Sequence, residues 1–104
     1  MLAYINTFVL KGDPQVFESL MASHEAYLRT QAGFGGFELN PSDTRPGEYV
    51  NIVQWVSEES HEALRQTKEF QVQVTSLLGV ADVSCSEVVE ASADVTQAAE
   101  ARSA

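Results

Sequence analysis

The residues best suited to chemistry are two asparagines and the only tryptophan, all in apolar, strand-like segments. Asn51 and Trp55 belong to the segment Tyr49–Trp55, and Asn6 belongs to Leu2–Leu10. Side chains alternate across a strand, so Asn51 and Trp55 share one face. A buried amide without a partner costs roughly 1–3 kcal/mol, so either the protein or a ligand must bond to it. A ligand oxygen that becomes negative during a reaction is one such partner.

Titratable and aromatic side chains extend the set of candidates. His24 falls in the apolar stripe of a predicted helix, where it suits either a proton acceptor or a structural histidine bonded to the backbone. His61 lies in the first turns of a later helix and is expected nearer the surface. The remaining candidates for a pocket wall are aromatic, namely Tyr4, Phe8, Tyr27, Tyr49 and Phe70. Aromatic residues also commonly pack between sheets and helices.

Composition excludes several classes of partner. The 104 residues carry a formal net charge of −9, and the six Lys and Arg are scattered along the chain. Nucleic acids and anionic membrane surfaces are bound by clustered basic residues, so neither is expected as a partner. The chain contains no apolar run of about 20 residues, and its N-terminus lacks a signal-peptide pattern. With a single cysteine, a cytoplasmic protein is the simplest expectation.

The sequence also lacks the usual marks of a bound cofactor. It contains no glycine-rich nucleotide fingerprint and no His, Cys or carboxylate cluster at metal-ligand spacing. The expectation is a protein without metal or organic cofactor. A small ligand inside an apolar pocket is compatible with all of these exclusions.

Hydrophobic periodicity predicts the elements that must position these residues. Asp13 followed by Pro14 is a helix start, and Ser57 and Thr67 are further candidate N-caps. Gly35 and the following glycine indicate a bulge or a close backbone approach. The predicted order is strand 2–10, helix 14–30, strand 34–39, loop 40–47, strand 48–56, helix 58–66, a helical segment from 67 to 78, and strand 80–89.

This β-α-β-β-α-β order predicts an α+β, ferredoxin-like domain over residues 1–91, followed by a flexible or short helical tail at 92–104. The four-stranded antiparallel sheet would carry both helices on one face. The other face would present Ala3, Ile5, Val9 and, from the third strand, Val50, Ile52 and Val56. An open face this apolar favours burial against a second copy, so a homodimer is expected.

Several of these segments resemble the antibiotic biosynthesis monooxygenase family of dimeric α+β barrels. The resembling features are Asn6 on the first strand, Gln31–Phe34, Asn51–Glu59 and Thr67–Phe70, which together span about residues 2 to 90. An Asn three residues before Gln-Trp is similar to the pattern in family members that oxidise anthrone-type polyketides to quinones without a cofactor. The resemblance implies Asn51, Trp55 and Asn6 as catalytic residues, with a small aromatic polyketide and O2 as substrates.

Other functions on this fold stay open. A non-catalytic polyketide-binding or cyclase-like protein would use the same pocket residues, and a few relatives act on small aldehydes or signal molecules. Haem-degrading relatives share an Asn on the first strand, but their helical Trp and iron-binding His would fall near Leu64 and Val74 here. Without a histidine at those positions, haem ligation is not expected.

Overall fold

The computed structural model describes residues 1–90, and the predicted tail at 92–104 lies outside them. The elements are β1 (Leu2–Leu10), α1 (Pro14–Leu28), β2 (Phe34–Pro41), β3 (Glu48–Trp55), α2 (Glu58–Arg65), α3 (Lys68–Leu78) and β4 (Ala81–Glu90). The strands form one antiparallel sheet in the order β2-β3-β1-β4. This arrangement confirms the predicted ferredoxin-like α+β fold.

Local signals set the helix starts as predicted. The Asp13 carboxylate accepts a hydrogen bond from the Gln15 N–H at 2.8 Å, and Pro14 follows it in the first turn. Ser57 caps α2 and Thr67 caps α3 in the same way. Each cap satisfies an N–H that the helix itself leaves without a partner. These starts place the predicted pocket residues of the helices at the sheet.

Two element ends differ from the prediction by two residues, each for an identifiable reason. Helix α1 ends at Leu28 instead of Thr30, because the Thr30 N–H donates to the carbonyl three residues back and tightens the last turn. Strand β2 continues beyond Leu39 to Pro41. A proline lacks the N–H that a central strand needs, but β2 is an edge strand and tolerates it.

Glycines allow a close approach at the start of β2. Gly33 has φ of +85°, and a Cβ there would lie 2.2 Å from the Ser60 Oγ of α2. The β2–β3 register shifts between Phe34 and Gly36, an irregularity at the position where the two glycines predicted a bulge or a close backbone approach. Helix α2 therefore packs tightly against the end of the sheet that carries Trp55.

The helices cover one face of the sheet. The clusters that join helices to strands contain Phe8, Tyr49, Val53 and Trp55 on the strand side. Within one chain, the opposite face is less open than the sequence predicts. Ala3, Ile5 and Ile52 form a buried cluster there, with Val50 and Val89 packed against it, while Val9 and Val56 are exposed.

Candidate active site

A cavity of about 220 Å³ lies between the helix-covered face of the sheet and the three helices. It is smaller than the roughly 300–1,000 Å³ of sites for drug-sized ligands, which favours a compact ligand. Most of its lining is apolar, and a few polar groups converge on it. Eight of the ten predicted site residues line it, namely Tyr4, Asn6, Phe8, His24, Asn51, Trp55, His61 and Phe70.

Asn51 lies in the middle of β3 and is only 3% exposed. Its Nδ2 donates a hydrogen bond to the Glu38 carbonyl of β2 at 2.8 Å, which fixes the orientation of the carboxamide. This is the single hydrogen bond that the Asn51 carboxamide makes to residues 1–90. An asparagine amide has two N–H donors and two oxygen lone pairs, so most of its capacity remains for a ligand.

Asn6 lies directly opposite Asn51 in the β1–β3 pairing. Directly paired residues have Cβ atoms about 4.5–5.5 Å apart, so the two carboxamides stand side by side on the cavity wall. The Ser86 hydroxyl of β4 donates to the Asn6 Oδ1 at 2.7 Å. With its oxygen occupied in this way, Asn6 presents its N–H groups as donors.

Trp55 combines a core position with a place in the cavity wall. The indole is 1% exposed and meets the Phe34 ring edge-on, with centroids 5.8 Å apart. It packs in one cluster with Leu28, Val53 and Leu64. Its rigid packing makes it a fixed wall against which a flat aromatic ligand can lie.

His61 is less exposed than the sequence predicts. Its ring stacks on Tyr4, with centroids 3.8 Å apart and planes inclined by 24°, and it lies 6.2 Å from the Trp55 ring. Burial, with the nearby Arg65 guanidinium, lowers the pKa of His61. The stack occurs because α2 begins at the sheet end where β1 starts, a placement that helix periodicity alone does not specify.

His24 faces the cavity from α1 and is 7% exposed. Its Nδ1 lies 2.6 Å from the Gln73 side-chain oxygen of α3, and its ring centroid lies 5.7 Å from that of Phe70. One alternative expected from the sequence was a structural histidine bonded to the backbone. The partner of the His24 ring is instead the Gln73 side chain. Burial lowers the pKa of His24, and the bond to Gln73 opposes that effect.

The lowered pKa of His24 predicts a pH dependence of stability. Because burial disfavours the imidazolium, the folded chain binds fewer protons at His24 than the unfolded chain does below about pH 6.5. The free energy of unfolding should therefore fall as the pH decreases from 6.5 towards the lower folded pKa. Urea unfolding at pH 7.5 and 5.5 should show a smaller fall in His24→Gln. An equal fall in both proteins would contradict this assignment.

Two predicted pocket residues do not line the cavity. Tyr49 packs against Phe17 of α1, with ring centroids 4.9 Å apart, and its hydroxyl donates to Glu18 at 2.6 Å. Tyr27 packs beside the cluster that contains Leu28 and Trp55. Tyr49 lies outside the cavity because α1 covers the sheet at that point and fills the space with Phe17.

Other lining residues were not expected from the sequence. Ser86 faces Asn6 across β1–β4, and its register depends on a bulge between Thr7 and Phe8. Arg65 lies one turn after His61 on α2 and also lines the cavity. Spacing of four residues along a helix could have indicated Arg65, whereas Ser86 carried no signal in its own segment.

Residues 1–90 contain neither a membrane-spanning helix nor a metal-binding cluster. No helix in this part of the chain is long and apolar enough to cross a membrane. No group of three His, Cys, Asp or Glu side chains there converges as a metal site.

Sequence comparison places these residues among known proteins. A profile of the antibiotic biosynthesis monooxygenase family matches residues 2–75. Deoxynogalonate monooxygenase from Streptomyces nogalater is 32% identical over 65 residues, which are 62% of this chain and 52% of that protein. The matched part therefore spans about half the length of this curated relative.

Structural comparison extends the likeness to most of the chain. SnoaB, a cofactor-independent oxygenase from Streptomyces nogalater, superposes with a TM-score of 0.83 at 23% identity, covering 90% of this chain and 95% of that one. HapK from Hahella chejuensis superposes with a TM-score of 0.77 at 16% identity, covering 90% and 95%. At these identities the likeness establishes a shared fold.

Proposed function

The chain belongs to the antibiotic biosynthesis monooxygenase family, and we propose that it is a cofactor-independent monooxygenase. Its substrate would be a polycyclic phenolic, anthrone-like polyketide intermediate, which it oxidises to a quinone with molecular oxygen. The sequence relative named a monooxygenase supports this class of reaction. The observation that carries the proposal is that a pair of neighbouring carboxamides and a buried imidazole line the same apolar cavity.

The first step is removal of a proton from the substrate's methylene carbon. The neutral imidazole of His24 is the base, since burial lowers its pKa and keeps it ready to accept a proton near neutral pH. The C–H bonding pair moves into the ring system, and negative charge develops on the ketone oxygen. Asn51 and Asn6 donate hydrogen bonds to that oxygen, so they stabilise the enolate more than the ketone.

The second step uses the enolate itself as the electron donor to oxygen. Triplet O2 reacts slowly with closed-shell molecules, and a stabilised carbanion can overcome this by giving up one electron. Recombination forms a carbon–peroxide bond at the former methylene. The outer peroxide oxygen takes the proton held by His24. Loss of the remaining C–H proton with cleavage of the O–O bond then gives the quinone carbonyl and hydroxide, which combines with that second proton to form one water. One oxygen atom thus enters the product, and Trp55 holds the rings flat during both steps.

Oxygen uptake by the protein alone tests this function. Protein treated with EDTA and free of flavin absorbance is mixed with dihydroxyanthrone in an oxygen-electrode cell. We expect oxygen uptake and quinone absorbance to rise together, well above the rate without protein. Binding of the compound, seen as quenching of Trp55 fluorescence, with no increase in oxygen uptake would instead indicate a non-catalytic binding protein.

We also propose that the chain forms a homodimer through the sheet face opposite the helices. Val9 and Val56 are 39% and 54% exposed on that side, and they flank the apolar cluster of Ala3, Ile5 and Ile52. Apolar side chains in such an arrangement favour a two-fold contact between copies. Light scattering after size exclusion should give twice the 11.4 kDa chain mass. A stable monomer at micromolar concentration would contradict it.

A further inference from the structure

Three side chains link helix α1 to helix α3 through consecutive hydrogen bonds. The Nδ1 of His24 lies 2.6 Å from the Oε1 of Gln73. The Nε2 of Gln73 donates to the Oε1 of Glu69 at 3.1 Å, one turn earlier on α3. Helix α3 thus supplies a two-residue support for the one histidine of α1.

The Glu69 carboxylate, at one end of this series of hydrogen bonds, determines which group donates in each bond. An ionised carboxylate only accepts hydrogen bonds, so the NH2 side of Gln73 must face Glu69. The amide oxygen of Gln73 then faces His24, and an amide oxygen also only accepts. The hydrogen in that bond must therefore belong to the Nδ1 of His24.

The second ring nitrogen of His24, Nε2, is available to a ligand. Nε2 of His24 bonds to no residue among 1–90, and no buried side-chain nitrogen or oxygen in this part of the chain lacks a partner. Nε2 is therefore accessible, and the space that His24 borders is the cavity. In the neutral ring the lone pair of Nε2 faces that space.

We propose that Gln73 and Glu69 are positioning residues that hold His24 in its Nδ1–H tautomer, so that Nε2 is the atom that accepts the substrate proton. This inference rests on the proposed function, because it assigns the base of that reaction. When the C–H bond breaks, its electron pair moves to the ketone oxygen and the proton forms a bond to Nε2. The Gln73 oxygen then accepts a hydrogen bond from the resulting imidazolium.

Few titratable groups lie near His24, so the effect of a new charge beside it can be measured separately. Tyr4, His61 and Arg65 border the same cavity, and Glu69 lies behind Gln73. Burial lowers the pKa of His24 and the Gln73 bond raises it. Neither Glu69 nor the titratable groups that border the cavity contribute to the shift. A carboxylate placed at position 73 would therefore be a new and direct influence.

The tautomer can be measured by ¹⁵N NMR on the ligand-free protein at pH 8. We expect a protonated Nδ1 and an unprotonated Nε2 at His24 in the wild type. Gln73→Leu, and independently the exposed Glu69→Gln, should shift the ring towards the Nε2–H form. Gln66→Leu is the matched control, since Gln66 donates to Glu62 with the same four-residue spacing on α2. An Nε2–H tautomer in the wild type would overturn the proposal.

The kinetic test separates this proposal from the proposed function. Gln73→Leu should lower kcat for oxidation of dihydroxyanthrone about tenfold or more with little change in KM. Gln73→Glu should raise the pKa of His24 and move the acidic limb of the pH profile to higher pH. Normal activity and an unchanged profile in both variants would overturn the positioning role while oxygenation stands. Absence of any oxygen uptake, with the tautomer as expected, would overturn the proposed function and leave the hydrogen-bonded support intact.

Discussion

Replacement of Asn51 by alanine is expected to lower kcat/KM for oxygen-dependent oxidation by about 100- to 1,000-fold. This is the typical cost of removing one donor to a developing oxyanion. Asn51 is suited to that role because its carboxamide is buried on the cavity wall and its orientation is fixed by the Glu38 carbonyl. Initial rates of quinone formation measure the effect.

The matched control is Asn40→Ala, which removes an exposed asparagine from the neighbouring strand. Its rate should equal that of the wild type. Loss of the Asn51 side chain also removes its hydrogen bond to the Glu38 carbonyl, a contribution of about 0.5–1.5 kcal/mol. A domain with about 5–15 kcal/mol of stability remains folded after that loss. Near wild-type turnover by a folded Asn51→Ala protein would contradict the oxyanion role.

Replacement of Trp55 by alanine is expected to lower the free energy of unfolding by about 3–5 kcal/mol, the usual range for deleting a buried aromatic ring. The indole is 1% exposed and packs against Phe34, Val53 and Leu64. Its removal leaves a void at the end of the sheet, and α2 loses a surface against which it packs. Urea unfolding followed by circular dichroism measures the change.

Val72→Ala serves as the control for this prediction, because Val72 lies on helix α3, away from the proposed dimer face, and is 51% exposed. Its effect should lie within about 0.5 kcal/mol of zero. Trp55→Phe retains most of the packing and should remain folded, which allows its activity to be measured separately. A loss below 1 kcal/mol in Trp55→Ala would mean that the indole is a ligand contact and not a core residue.

Local chemistry explains why the framework of the site was predictable. The Asp13 and Ser57 caps accept hydrogen bonds from helix N–H groups only a few residues away. A short stretch of sequence is therefore enough to predict where each helix begins. Alternation along β1 and β3 placed Asn6, Asn51 and Trp55 on one face without knowledge of their neighbours.

Other parts of the site depend on contacts that no single segment encodes. Gln73 and Ser86 hydrogen-bond to His24 and Asn6, which are 49 and 80 positions away in the chain. Alternation correctly gave the face of Tyr49, but which end of the sheet stays open depends on how α1 crosses it. Phe17 of α1 fills the space beside Tyr49, and so the cavity lies at the other end.

Isotope labelling tests the central claim of cofactor-independent monooxygenation most directly. Metal-chelated, flavin-free protein is incubated with dihydroxyanthrone under ¹⁸O2, and the quinone is analysed by mass spectrometry during the first turnovers. The proposed chemistry predicts one ¹⁸O atom per quinone formed and the second in water, at a rate that falls with Asn51→Ala. Quinone without label, or with label at a rate equal to that without protein, would contradict it.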